Sequence, residues 1–230
     1  MSALHLKLRR RKDTIIIECM SESLQPANLT YPNKLGRLYL LALQDVLRHS
    51  GYVALMNWVG MAQYARALPA DNWRREVDFS VLARSDAGLS ERYGPRSGRR
   101  LALRTGQRFF ELGLKELGVF SGMGEVALRA LPTHTTLKLG LNALASVFNR
   151  TSDQHSSVAE QSSHLVFTVQ PCPICWEREA REPICYFIVG LLQEAAGWLG
   201  AGHPFLVREA LCMAQGDDVC AFQIDKDSPG

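Results

Sequence analysis

The spacing of apolar positions along the chain is helical first and alternating later. From Lys34 onward Leu35, Leu38, Tyr39, Ala42, Leu43 and Val46 fall on one helical face, with Asn33 as the expected N-cap behind Pro32. This helix is predicted to stop near Ser50-Gly51. A second apolar helix follows from Tyr52 to about Ala67, closed by Pro69. The charged stretch 72–100, punctuated by Gly88, Gly94, Pro95 and Gly98, reads as helical turns and loops. A third helix is expected from about Arg99 to Gly118, with the stripe Ala102, Gly106, Phe109, Phe110, Gly113, Leu114 and Leu117. Gly106 and Gly113 on that stripe imply close backbone approach, to another helix or to a ligand. A fourth helical region spans about Gly124 to Asn149, interrupted at Pro132.

The last third differs. His164 to Gln170 (HLVFTVQ) alternates as a strand does, and Cys185 to Leu199 reads as a helix ended by Gly200, Gly202 and Pro204. Phe205–Ala214 and Val219–Ile224 then flank Gln215-Gly216-Asp217-Asp218, a hairpin pattern. Thr14 to Glu18 is a further short strand, preceded by the basic run Lys7 to Lys12. Helices first and strands later predict an α+β fold, a helical N-terminal half packed on a small antiparallel sheet formed mainly by the C-terminal third. The expected organisation is an extension over residues 1–33, a domain over 34–226 and a tail over 227–230.

Composition narrows the function classes. The chain has 230 residues, 47% hydrophobic and 21% charged, which excludes a disordered chain or a fibre. A net charge of +3 gives no argument for direct nucleic-acid binding, and the short basic run reads as a solvated terminus. The longest charge-free apolar stretch, His49 to Ala65, contains Asn57 and Gln63 and falls short of the roughly 20 apolar residues a membrane span needs. With no apolar secretory signal at the start, a reducing, cytoplasmic setting is expected.

Cysteine placement carries most of the chemistry. Cys19 stands alone and reads as a small hydrophobe in a strand. Cys172, Cys175, Cys185, Cys212 and Cys220 all lie in the last quarter of the chain. Cys172 and Cys175 have the spacing that aims two thiolates at one tetrahedral metal, with Pro173 stiffening the turn. Cys212 and Cys220 lie on the two arms of the predicted hairpin. Cys185 opens a helix, where backbone N–H groups favour a thiolate. Five thiols can thus converge on a site that needs four; the alternative is buried core cysteine. An all-thiolate site suits zinc or an iron–sulfur cluster about equally.

The stretches Cys185-Tyr-Phe-Ile-Val-Gly190, Val207-Arg-Glu209-Ala-Leu-Cys212 and Gly216-Asp-Asp-Val-Cys220-Ala-Phe222 resemble the 4-vinyl reductase (4VR) domain. That domain belongs to the small-molecule-binding superfamily of the bacterial haem nitric-oxide sensors and the TRAPP transport subunits. The motif match covers roughly residues 164–226. The resemblance implies a mixed α/β sandwich, often dimeric through its helices. It implies either an effector-binding domain for aromatic hydrocarbons or a protein linked to reduction of the tetrapyrrole 4-vinyl group. It also implies a structural zinc on Cys185, Glu209, Cys212 and Cys220. Glu209 and Cys212 are three apart in a strand, so their sharing of a metal requires a bulge or bend. The Cys172–Cys175 pair lies outside that pattern and offers two further ligands.

Other residues add less. Gly118-Val-Phe-Ser-Gly122-Met-Gly124 lacks a preceding strand and reads as a helix–helix turn rather than a phosphate cradle. Asp217-Asp218 read as turn formers, and His134, His155 and His203 as surface or capping residues. If the family architecture holds, Trp58, Gly106, Phe109, Phe110, Gly113, Phe120 and Phe148 are candidates to line an apolar cavity between helices and sheet. The main expectation is a non-enzymatic binding or sensing protein for an apolar, aromatic or tetrapyrrole-like molecule, homodimeric, with a structural zinc. The alternatives are an enzyme or accessory protein of bacteriochlorophyll synthesis, drawing electrons from an iron–sulfur cluster, and a dimeric interaction scaffold.

Overall fold

The computed structural model describes residues 7–11, 14–18, 28–117 and 131–226. Along these the elements run β1 (Lys7–Arg11), β2 (Thr14–Glu18), β3 (Thr30–Pro32), α1 (Asn33–Trp58), α2 (Ala62–Arg66), β4 (Arg75–Asp78), α3 (Phe79–Tyr93) and α4 (Pro95–Leu117). Then follow α5 (Thr133–Thr151), β5 (His155–Glu160), β6 (His164–Gln170), α6 (Tyr186–Leu199), β7 (Val207–Leu211) and β8 (Cys220–Asp225). The fold is α+β, with a four-stranded antiparallel sheet of order β5-β6-β8-β7 built from the C-terminal third. Cys19, Phe120 and the tail lie outside the described residues, as do the glycine-rich turn and the start of the fourth predicted helix. No helix among the described residues is long and apolar enough to cross a membrane.

Period-two alternation builds the sheet's inner face. Leu165, Phe167 and Val169 of β6 are buried opposite Ile224, Phe222 and Cys220 of β8. β5 was missed from sequence because HSSVAE has almost no apolar face; it is a largely exposed edge strand. The apolar helix α6 packs against α4 by direct backbone contact. A Cβ on Gly106 would stand 1.9 Å from the Phe187 carbonyl oxygen, and one on Gly190 would stand 2.0 Å from that of Leu103. Of the two approaches open to Gly106, the structure takes the helix.

Three boundaries depart from the sequence expectation. α1 continues past Ser50-Gly51, its one break being a left-handed residue at Arg48 (φ 61°, ψ 166°). Pro32, not Asn33, precedes its first turn; the Asn33 side chain instead donates to Asn72 and Glu76. The stretch 72–100 forms β4 and α3 rather than loops. Asp78 caps α3 by accepting from Ser80 N at 2.7 Å. Phe79, Leu82, Ala83 and Leu89 are buried. Gly88 is a packing position in that helix, since a Cβ there would meet Val59 at 2.4 Å. β3 pairs with β4, and Tyr31 of β3 joins the core although it precedes the predicted start of the domain.

Candidate metal centre and interior cavity

The five cysteines arrive from four separate pieces of chain. Cys172 and Cys175 lie just beyond β6, on a turn that continues its buried face. Cys185 is the N-cap residue of α6, Cys212 follows β7, and Cys220 opens β8. Glu209 sits in β7, where the register with β8 slips between Glu209 and Leu211. Glu209 faces Phe222 and Leu211 faces Ala221, so Ala210 is the extra residue of a bulge. That bulge is the bend needed to bring Glu209 and Cys212 to one side.

All five thiols are buried and none is in a disulfide. Cys185 Sγ lies 3.5 Å from both Cys172 Sγ and Cys175 Sγ and 3.8 Å from Cys220 Sγ; Cys175 and Cys220 are 3.2 Å apart. Thiolates around one tetrahedral zinc, at Zn–S of about 2.3 Å, stand about 3.8 Å apart. The sulfurs are therefore spaced to surround a single ion. A cluster, in which each iron takes its own cysteines, needs them spread further. Two overlapping groups have all ligand atoms within 4.8 Å of one another: Cys172, Cys175, Cys185 and Cys220, and Cys185, Glu209, Cys212 and Cys220.

The electrostatics also call for a cation. Burial pushes the Cys172 and Cys185 thiols up, while Cys175 is drawn down because Cys172, Cys185, Cys212 and Cys220 donate to it. Burial, and next the charge of Cys212, push Glu209 up to about 8. Glu209 Oε2 accepts from Cys185 N at 2.8 Å, whereas Oε1 is buried with no partner among the described residues. An orphaned carboxylate oxygen beside packed thiols fits a metal ligand. Backbone bonds shape the pocket: Met213 N donates to Cys220 Sγ at 3.3 Å, and Cys212 N to Asp217 Oδ2 at 2.8 Å. Asp217 is thus more than a turn former.

One long-range contact was not foreseen. Arg178, three residues past Cys175, donates to Asp86 Oδ2 of α3 at 2.9 Å and to the Ile174 carbonyl at 2.9 Å. It ties the cysteine turn to the helical half. Asp86 looked like a surface charge in sequence. Its position seven residues after Phe79 on the buried face was the available signal.

The interior between sheet and helices holds two small apolar spaces of about 20 Å³ each. The first is bounded by Tyr31, Phe109, Phe148, Phe167 and Phe187, with Gln154 and Pro173 at its edge. The second lies between Phe109, Phe110, Gly113, Leu144 and Phe148. Phe109 and Phe148 are common to both. Of the other cavity candidates, Gly106 is spent on the α4–α6 contact, and Trp58 is 58% exposed with the Arg92 guanidinium 5.7 Å from its ring centre. Trp58 ends α1 at the surface, beyond the buried stripe, so the sequence expectation for it is not met. His203, expected at the surface, lines an open groove there with Gln107 and Glu194. Tyr31, Gln154, Phe167 and Phe187 were not singled out from sequence. Phe167 and Phe187 carried a signal, inward positions on β6 and α6; Tyr31 and Gln154 carried none.

Comparison with known proteins gives two kinds of likeness. Residues 165–226 match the model of the 4-vinyl reductase (4VR) domain. Over 61 residues the chain is 41% identical to an uncharacterized protein of Methanocaldococcus jannaschii, a stretch covering 26% of this chain and a third of that relative's length. Among solved structures, the chain is similar to an H-NOX protein from S. oneidensis in the Fe(II)NO state, with 15% identity and a TM-score of 0.53. That match covers 84% of this chain and 99% of the other. An H-NOX variant from K. algicida matches at 13% identity and a TM-score of 0.52, over 86% and 97% of the two chains. At these identities the likeness is one of fold. The chain therefore carries a 4-vinyl reductase segment on an H-NOX-like fold.

Proposed function

We propose that this chain binds an apolar, aromatic-sized molecule between the sheet and helices α1, α4, α5 and α6, and that a metal on the cysteine cluster fixes one wall of that site. The observation that carries the reading is the double role of one turn. Pro173, between Cys172 and Cys175, forms part of the cavity wall, so the metal ligands and the ligand space share a segment. Cys172, Cys175, Cys185 and Cys220 can enclose an ion, with Glu209 and Cys212 beside them. Such an ion supplies folding free energy and rigidity with no open position for catalysis. The soft donor set and the sulfur spacing favour zinc over an iron–sulfur cluster, and with it a binding or sensing role over vinyl reduction, which needs an electron source.

Haem, carried by proteins of the H-NOX fold, does not suit these residues. The spaces of about 20 Å³ are more than tenfold smaller than the roughly 300 Å³ of a typical ligand pocket. Among the described residues, no His, Cys or Met lines either of them. Tyr31, the phenol at the first space, hydrogen-bonds Gln154, and burial keeps its pKa well above the usual phenol value. A small apolar ring that displaces Phe109 or Phe148 is the better occupant, with the Tyr31–Gln154 pair offering one polar contact at the cavity edge.

The test is a thermal melt of the purified, metal-loaded chain with toluene or naphthalene near saturation. A rise in Tm of several degrees is expected, because binding to the folded state alone stabilises it. Unchanged Tm with both compounds, in protein that still holds its metal, overturns the ligand reading. A colourless protein with zinc supports the metal assignment, and iron with acid-labile sulfide overturns it.

A further inference from the structure

We propose that the cysteine cluster holds two divalent zinc ions rather than one, sharing Cys185 and Cys220 as bridging thiolates. This rests on the reading of the cluster as a metal centre and goes beyond it. The six donors fall into two groups of four, and the two groups have Cys185 and Cys220 in common. Two tetrahedra that share an edge have this pattern. The shared edge, Cys185 Sγ to Cys220 Sγ, measures 3.8 Å, the edge length expected around a thiolate-bound zinc. Cys172 and Cys175 complete one ion's shell, and Glu209 and Cys212 complete the other's.

A single ion leaves the cluster unfinished whichever group it occupies. In the all-cysteine group it leaves Glu209 Oε1 buried without a partner and Cys212 idle. In the group with Glu209 it leaves Cys172 and Cys175 buried at 3.5 Å from the ligating sulfur of Cys185. Two ions employ every donor. Charge points the same way. Five thiolates and a carboxylate carry six negative charges, and two divalent ions reduce them to two, the same excess that four thiolates leave on one such ion. The thiol and carboxyl protons pass to solvent as the ions bind.

The local structure suits the two bridging positions. Cys185 caps the 14-residue helix α6, whose N-terminal N–H groups favour negative charge, and Cys220 Sγ accepts from Met213 N at 3.3 Å. Both residues also sit where regular elements begin, so they are positioned more rigidly than the terminal donors on the Cys172–Cys175 turn.

Zinc content of the full chain, purified with zinc present and then desalted, decides the matter by elemental analysis and native mass spectrometry. Two zinc per chain are expected, falling to one in the Cys172→Ser/Cys175→Ser variant. One zinc in the wild type overturns the proposal alone; none overturns it together with the metal-centre reading. Should the variant fail to fold, the wild type expressed with cobalt in place of zinc gives an independent readout. Shared thiolates couple the two cobalt spins, so the paramagnetic resonance per cobalt should be strongly reduced. Full intensity from both ions overturns the sharing.

Discussion

Phe148 is the side chain on which the cavity reading can be tested most directly. It is buried, bounds both interior spaces, and meets Tyr31 edge-on with ring centres 6.4 Å apart. Phe148→Ala merges the two spaces and leaves a hole the size of a benzene ring. Large-to-small changes of this kind cost about 3–5 kcal/mol, of which roughly 2 kcal/mol reflects every ~90 Å³ left unfilled. For a chain this long each kcal/mol moves Tm by about 2–4 °C, so a drop of roughly 6–20 °C is expected. Toluene at about a hundredfold its Kd should restore about 2.7 kcal/mol, a larger gain than in the wild type, where side chains must first give way. Calorimetry or fluorescence melts read both effects. The exposed Leu139→Ala change on the same helix serves as control, expected within about 0.5 kcal/mol of wild type. A Phe148→Ala chain that melts near the wild type, or that toluene leaves untouched, refutes the interior as a ligand space.

Three further outcomes follow from packing and charge. Gly106→Ala places a Cβ 1.9 Å from the Phe187 carbonyl oxygen and forces α4 from α6; a loss above about 3 kcal/mol is expected by chemical denaturation, and a neutral result refutes the backbone contact. Burial, opposed in part by Arg178, raises Asp86 to about 6. The folded state thus holds this proton more tightly than the unfolded chain, so the Asp86 contribution is present below about pH 4 and is lost as pH rises towards 6. The stability difference between wild type and Asp86→Asn should change by about 2–3 kcal/mol across that window, and a flat difference contradicts the assignment. Because Glu209 sits near 8 in the metal-free cluster, zinc binding at neutral pH must displace its proton along with those of the thiols. Calorimetry in buffers of different ionisation enthalpy should register less proton release in Glu209→Gln, and equal release removes Glu209 from the ligand set.

Much of the fold was legible because its signals are periodic. The stripe from Leu35 to Val46 and the alternation of HLVFTVQ each map onto buried faces. The stretch 72–100 was misread because Gly88 and Asp86 look like loop residues. Only the tertiary structure shows that Gly88 admits Val59 and that Asp86 has an arginine from ninety-two residues away. The cysteine cluster was legible in membership, since Cys172, Cys175, Cys185, Glu209, Cys212 and Cys220 all meet. Its division into two groups sharing Cys185 and Cys220 was not, because spacing along a chain carries no information on which sulfurs lie within one bond length of the same point. Likewise the helical period can place an aromatic on a face but not at its end. Phe109 and Phe148 lie in mid-stripe and reach the interior; Trp58, at the last residue of α1, stands in solvent.

The small size of the interior spaces bears on how a binding event becomes a signal. A ligand that drops into a ready cavity leaves the protein as it found it and shifts no equilibrium, since only differential interaction with two states does so. Here about 20 Å³ is open at each space, so any ring must move its walls. The walls are not equally movable. The Pro173 side is anchored by the thiol cluster and by Arg178 on Asp86. The α4–α6 side is locked by glycine-mediated backbone contact, where separation would break packing along both helices. Phe148, on α5, has neither restraint, and this helix leads directly through Ser152 and Gln154 into β5, the exposed edge of the sheet. Displacement of Phe148 therefore transmits along α5 to that edge, while the metal-held half serves as the fixed reference. Hydrogen exchange with and without toluene should show the change in α5 and β5 and leave β8 protected; a change centred on β8 and the cysteine turn would place the moving part in the metal-bound half instead.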